Sequence, residues 1–329
     1  MRSSMSRRAF LASVSSAAAV GALSRRGMPG LRAAAPSAKV AIVRTGDRKK
    51  GVAEVVRLLN VPAPKGKDVV IKPNFNTADP APGSTHNDTL RQLMAELLER
   101  DARSLTIGER SGPPMTRKVM EDKGVFDLAR EMKASIVNFE DLAEGDWVPV
   151  QPGGSHWTSQ LYVPRLIARA PYLVSTCCLK THGFGGVYSM SMKLAVGTTP
   201  KRLMREMHGS RDMRRMIAEI NTGFAPSLIV MDGVEAFVDG GPSEGKRVTA
   251  NVFVGGTDRI AVDAVGLAIL KELGSNAAIM DRKIFEQEQL RRGVELGLGI
   301  TGPDQIELVT GDEPSREFAA RLKARLADG

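Results

Sequence analysis

From residue 39 onward, short β-branched apolar runs alternate with amphipathic stretches. That alternation restricts the chain to an α/β fold, a mainly parallel sheet with helices on both faces and functional loops at the C-terminal edge of the strands. Strands are expected at residues 40–43, 69–72, 104–107, 134–139, 172–179, 227–231, 251–254 and 305–309. Helices are expected at residues 51–60, 88–100, 115–132, 212–222, 258–273, 281–296 and 315–327. No internal repeat or low-complexity linker interrupts this pattern, so residues 36–329 read as one domain. The Gly/Pro-rich segments 145–156 and 237–246 read as long loops within it.

Charge matters here mainly through where it sits. The net charge of +9 suggests a nucleic-acid partner, but six arginines and no acid precede residue 36, leaving 40 basic against 37 acidic residues. The case for nucleic acid disappears with that segment. Within it, Ser6-Arg7-Arg8-Ala9-Phe10-Leu11 is followed by a mildly apolar, uncharged run to Leu23. This is the pattern of a twin-arginine signal over residues 1–35, cleaved on export. The run is too short and too mild for a permanent membrane span, which needs about 20 strongly apolar residues. A periplasmic or otherwise extracytoplasmic protein, delivered folded by the twin-arginine machinery, is the expectation, and a route for folded proteins favours a bound cofactor.

In parallel sheets ligands bind beyond the carboxyl ends of the strands, and here those ends are polar. The second run passes into Lys72-Pro73-Asn74, the third through Gly108 into Glu109, the fifth into Lys180-Thr181-His182, and the sixth into Asp232-Gly233. Lys72 and Lys180 suit an anion, and Asn74 could orient it. Gly183, Gly185 and Gly186 follow His182 at once, where missing side chains let backbone amides approach a ligand. Lys193 lies shortly behind that loop. His182 and His208 are candidates for acid/base work or, with Asp232, for holding a divalent metal; His208, just before Gly209, equally suits a helix end.

Other residues have plainer readings. The adjacent Cys177 and Cys178 alternate across a strand and read as core. No four-cysteine set exists for an iron–sulfur cluster. The later methionines, Met204, Met207, Met213 and Met216, read as core filler. Residues 240–246 match G-x-x-x-x-G-K, but Arg247 stands where Ser or Thr is required and a strand follows. Residues 297–302 match G-x-G-x-x-G in the wrong context, after a helix rather than a strand. Asp258 suits a helix N-cap, whereas Asp263, among small apolar neighbours, demands a specific partner.

Taken in order, Lys72-Pro73-Asn74, Leu179-Lys180-Thr181-His182, Met192-Lys193 with Gly197, His208, Asp232-Gly233, Gly241-Pro242 with Gly245, and Ala261-Val262-Asp263-Ala264-Val265-Gly266 form a recognisable set. The chain resembles the family called domain of unknown function 362 over nearly all of residues 40–309. The resemblance implies no general activity. Many relatives carry ferredoxin-like four-cysteine insertions, and this sequence lacks them.

The expected function is an exported enzyme acting on a small anionic substrate with a metal or redox cofactor. Lys180, His182 and His208 are its expected catalytic residues; Lys72, Asn74, Lys193, Gly183, Gly185 and Gly186 its substrate-binding residues; and His182, His208 and Asp232 its metal ligands. The alternative is a non-catalytic extracytoplasmic anion-binding or assembly protein.

Overall fold

Alternation along the strands sorts the apolar residues onto two faces. In β1 (Ala38–Arg44), Val40 and Ile42 join one core cluster while Ala41 and Val43 join the other. Helices Arg259–Glu272 and Glu313–Asp328 cover the first face, and Arg48–Leu59 and Asn87–Glu99 cover the second. A computed structural model describes residues 37–328, so the expected export signal lies outside the described residues.

The remaining strands are β2 (Asp68–Lys72), β3 (Ser104–Glu109), β4 (Ser135–Asn138), β5 (Trp147–Val150), β6 (Leu161–Pro164), β7 (Tyr172–His182), β8 (Val187–Tyr188), β9 (Leu228–Gly240), β10 (Gly245–Gly256) and β11 (Ile306–Val309). The main sheet runs β11-β1-β10-β9-β7-β2-β3-β4, with β8 pairing to β7. Neighbours are parallel except that β10 runs antiparallel to both β1 and β9, and β8 to β7. This is an α/β fold, with strands at each of the expected positions.

Three strands outrun their apolar cores. Strand β7 continues through Lys180, Thr181 and His182, because Lys180 pairs with Phe237 of β9, and Thr181 and His182 pair with Tyr188 and Val187 of β8. Strands β9 and β10 extend as a long hairpin in which Lys246 faces Asp239. Residues 240–246 are therefore its turn and flanks. After helix Glu288–Glu295, Gly297 adopts φ +67, the left-handed geometry of a helix stop.

Expected loop 145–156 instead contains β5, which pairs antiparallel with β6 in a separate ribbon. That ribbon packs on Met207, Met213, Met216 and Ile217, so these methionines are core. Both cysteines are buried and free, and burial pushes their thiols up. No helix among the described residues is long and apolar enough to cross a membrane.

Candidate functional site

The site begins where β2 and β3, parallel neighbours, end together. Lys72 closes β2 and Pro73 stops the ladder. The buried Lys72 ammonium donates to the Pro73 carbonyl at 2.7 Å and pairs with the buried Glu109 carboxylate at the end of β3. Glu109 also accepts from the Phe75 and Arg110 amides, each at 2.8 Å. Burial pulls Lys72 down and pushes Glu109 up, and their pairing opposes both shifts. A Cβ on Gly197 would stand 2.8 Å from Lys72 Nζ and 3.0 Å from Glu109 Oε1, so only a glycine lets the chain close over this pair.

Arg110, also buried, gives its guanidinium to backbone carbonyls: Nε to Thr199 at 2.9 Å, one terminal nitrogen to Ser111 at 3.0 Å and the other to Val196. Among the described residues no carboxylate bonds to its side chain, and burial lowers its pKa to about 10.

Beyond these groups lies a cavity of about 1310 Å³. Among the described residues lining it, Lys72, Arg110, Lys193, Lys201, Arg211 and Arg214 are cationic and Glu109 alone is acidic. Lys201 pairs with Glu140, and Arg214 with Glu288 at 2.8 Å. Lys193 is 7% exposed, and its ammonium has no hydrogen bond or ion pair among the described residues.

The placement of Lys193 has an identifiable cause. It sits on the short helix Ser191–Leu194, whose first amides, of Ser191 and Met192, donate to the buried Asp263 carboxylate at 2.7 and 3.0 Å. Here is the partner that Asp263 demanded, while Asp258 caps its own helix by accepting from Ile260 and Ala261. At the other side, Asn221 Nδ2 donates to the Met192 carbonyl at 2.9 Å. Burial, and then the charges of Lys180 and Arg110, bring the Lys193 pKa down to about 7.

His182 lines the same cavity, 7% exposed, with Nδ1 buried and unpartnered. Burial, then the charges of Lys193 and Lys180, push its pKa to about 2, so the imidazole is neutral throughout the physiological range. A Cβ on Gly186 would stand 2.9 Å from both His182 Nδ1 and Lys193 Cε, so ring and lysine both pack against the space that this glycine leaves open. His208, in the last turn of helix Met204–Gly209, also faces the cavity, and burial followed by Lys193 and Arg110 lowers its pKa.

Of the residues singled out from sequence, Lys72, Asn74, His182, Gly185, Lys193 and His208 converge on the cavity. Lys180 does not: fully buried, its ammonium donates to the carbonyls of Gly83 and Pro242 and ties two loops together. Gly183 packs on the 241 loop through its amide, 3.0 Å from the Gly241 carbonyl, and Gly186 backs the His182 ring. Asp232 points elsewhere, held by Arg48 at 2.9 Å, Thr89 at 2.6 Å and the Val234 amide at 3.0 Å. The set His182, His208 and Asp232 is thus not assembled, and among the described residues no three His, Cys, Asp or Glu side chains are placed to hold a metal ion. The donor set does not fit a divalent metal, since Glu109 is already engaged by Lys72 and two amides.

Sequence reasoning missed Arg110 and Arg211. The first follows Glu109 directly, and the polar, small run Glu109-Arg110-Ser111-Gly112 was the available signal.

A family model, domain of unknown function DUF362, matches residues 69–268, which contain every one of these converging side chains. The chain belongs to the DUF362 family. No curated protein matches it. Among solved structures, this DUF362 protein is similar to the lactate racemase apoprotein from Thermoanaerobacterium thermosaccharolyticum, at 14% identity and a TM-score of 0.44, over 87% of this chain and 86% of that one. It is also similar to a protein from Thermotoga maritima, at 11% identity and a TM-score of 0.44, over 76% of this chain and 58% of that one. Neither likeness bears on activity.

Proposed function

We propose that the cavity binds a small anionic substrate and that the protein acts on it as an enzyme outside the cytoplasm. The observation that carries this reading is Lys193, a buried cation facing a cavity without an acidic partner. A desolvated charge is costly unless something pairs with it. An anionic ligand would supply that pairing, within a positive field to which Arg110 and Lys72 both contribute in part, because Glu109 offsets each of them.

The neutral imidazole of His208 then stands where it can accept or return a proton at the bound substrate, while His182, which stays neutral, can offer only a hydrogen bond. Asn74, at the same wall, offers an amide for orientation. The extracytoplasmic part of the proposal rests on Ser6-Arg7-Arg8-Ala9-Phe10-Leu11. It is tested by replacing Arg7 and Arg8 with lysine and following the protein between cell fractions.

Calorimetric titration with lactate and with inorganic phosphate tests the site. Saturable binding that weakens at least tenfold in Lys193→Ala is expected. Binding unchanged in that variant, or no binding of either anion, overturns the reading. If His182→Ala and His208→Ala bind as before and no turnover of any bound anion is found in the unmodified protein, the protein is a carrier of anions rather than an enzyme.

A further inference from the structure

Lys193 combines burial with availability. Its side chain lies in the cavity wall, and among the described residues no hydrogen bond or ion pair to its amine must be broken before it reacts. The charged groups around it are accounted for on every side. Lys180 and His182 approach from β7, Arg110 from beyond β3, and His208 from helix Met204–Gly209. On helix Arg259–Glu272, Asp263 spends its oxygens on the Ser191 and Met192 amides, and Arg259 donates to the carbonyls of Asn221 and Phe224. On helix Met213–Ile220, Glu219 is held by His156 and Arg292, Arg214 by Glu288, and Arg215 by Asp212. With Glu109 held by Lys72, no acid among the described residues is left over to hold Lys193 as an ammonium.

We propose that Lys193 is an amine nucleophile that forms an imine with the carbonyl carbon of a small 2-oxo carboxylate. The inference rests on the anion-site reading, with the positive field of Arg110 and Lys72 holding the carboxylate end while the deprotonated fraction of Lys193 meets the carbonyl. Lys193 Nζ attacks the carbonyl carbon, a C–N bond forms, and the C=O π pair moves to oxygen. Both amine protons then leave with that oxygen as one water while the C=N bond forms, so no oxidant or further reactant is needed. His208, which faces the same cavity, is placed to carry these protons.

The lowered pKa of Lys193 supports this chemistry: at about 7, roughly half of it is free amine at neutral pH. An ordinary lysine is free amine to only about one part in a few thousand.

The test treats the protein with pyruvate and sodium cyanoborohydride, which reduces an imine to a stable secondary amine, and maps the modified peptides by mass spectrometry. At pH 7 the adduct is expected on Lys193, at least tenfold above any other lysine, and acetone, which has the carbonyl but no charge, should label it at least tenfold more slowly. Across pH 5.5 to 9, Lys193 labelling should reach a plateau above about pH 7, whereas surface lysines keep rising. This comparison uses the unaltered protein and does not depend on a variant folding. Labelling spread evenly over lysines, or equal labelling by acetone, overturns the proposal. Lactate and phosphate binding measured alongside separates the two readings: either anion bound without any Lys193 adduct sinks the imine and leaves the anion site, and no lactate, phosphate or pyruvate bound sinks both.

Discussion

Lys72 and Glu109 form a buried ion pair at the ends of adjacent parallel strands, beneath residues 195–198. Breaking such a pair on one side leaves an uncompensated charge in the interior. Lys72→Met is expected to destabilise the fold by about 3–5 kcal/mol, and the double change Lys72→Met with Glu109→Leu to recover much of that loss. Urea unfolding of both variants checks it; a double variant as unstable as the single one would contradict the pairing argument.

Replacing Lys193 should have the opposite sign. Its pKa is about 7 in the folded protein against an ordinary value of 10.5. As pH falls below 10.5 the unfolded chain takes up a proton that the folded protein refuses, so stability drops until about pH 7 and is level below it. Lys193→Met removes this penalty, a few kcal/mol at about 1.4 kcal/mol per pH unit. The gain in unfolding free energy should be large at pH 7 and small at pH 10, with ligand binding lost. Equal effects at the two pH values would rule out the titration as its source.

Lys180 acts through the scaffold. Lys180→Met deprives the Gly83 and Pro242 carbonyls of their donor, at a cost of about 1–3 kcal/mol for each buried acceptor left unpaired. Its charge also holds the Lys193 pKa down, so the pH at which anion binding weakens should move upward in the variant. Calorimetry across a pH series reads this directly, and a midpoint that stays put or falls would refute it.

Asp263 is a positioning residue for Lys193. Asp263→Ala leaves the buried Ser191 and Met192 amides without acceptors and should lower stability by about 1–3 kcal/mol. Anion affinity should fall with it, while Asp263→Asn, which keeps one acceptor oxygen, recovers part of both. Thermal melts and titrations on the pair decide the matter; undiminished affinity in the alanine variant would show that the capped helix does not set the lysine's position.

The parallel arrangement was legible because strand and helix periods differ, and each apolar run advertises its period locally. Lys72, Asn74 and His182 were legible for a related reason: polar residues at the ends of buried strands have few places to be except the sheet edge. Lys180 and Asp232 carried the same local signature, yet they sit within extended strands and answer to Gly83 and Pro242 in one case and to Arg48 and Thr89 in the other. Those partners lie far away in the chain, and no local pattern names them.

The sequence by itself determined the α/β class, the positions of most strands along the chain and the concentration of polar groups at their carboxyl ends, since these follow from side-chain periodicity and the chemistry of chain breaks. The tertiary structure alone decided which of those groups are spent and which are free. That division depends on long-range pairing in a low-dielectric interior: Glu109 neutralises Lys72, backbone carbonyls absorb Arg110 and Lys180, and Asp263 fixes a helix that leaves Lys193 buried and unpaired.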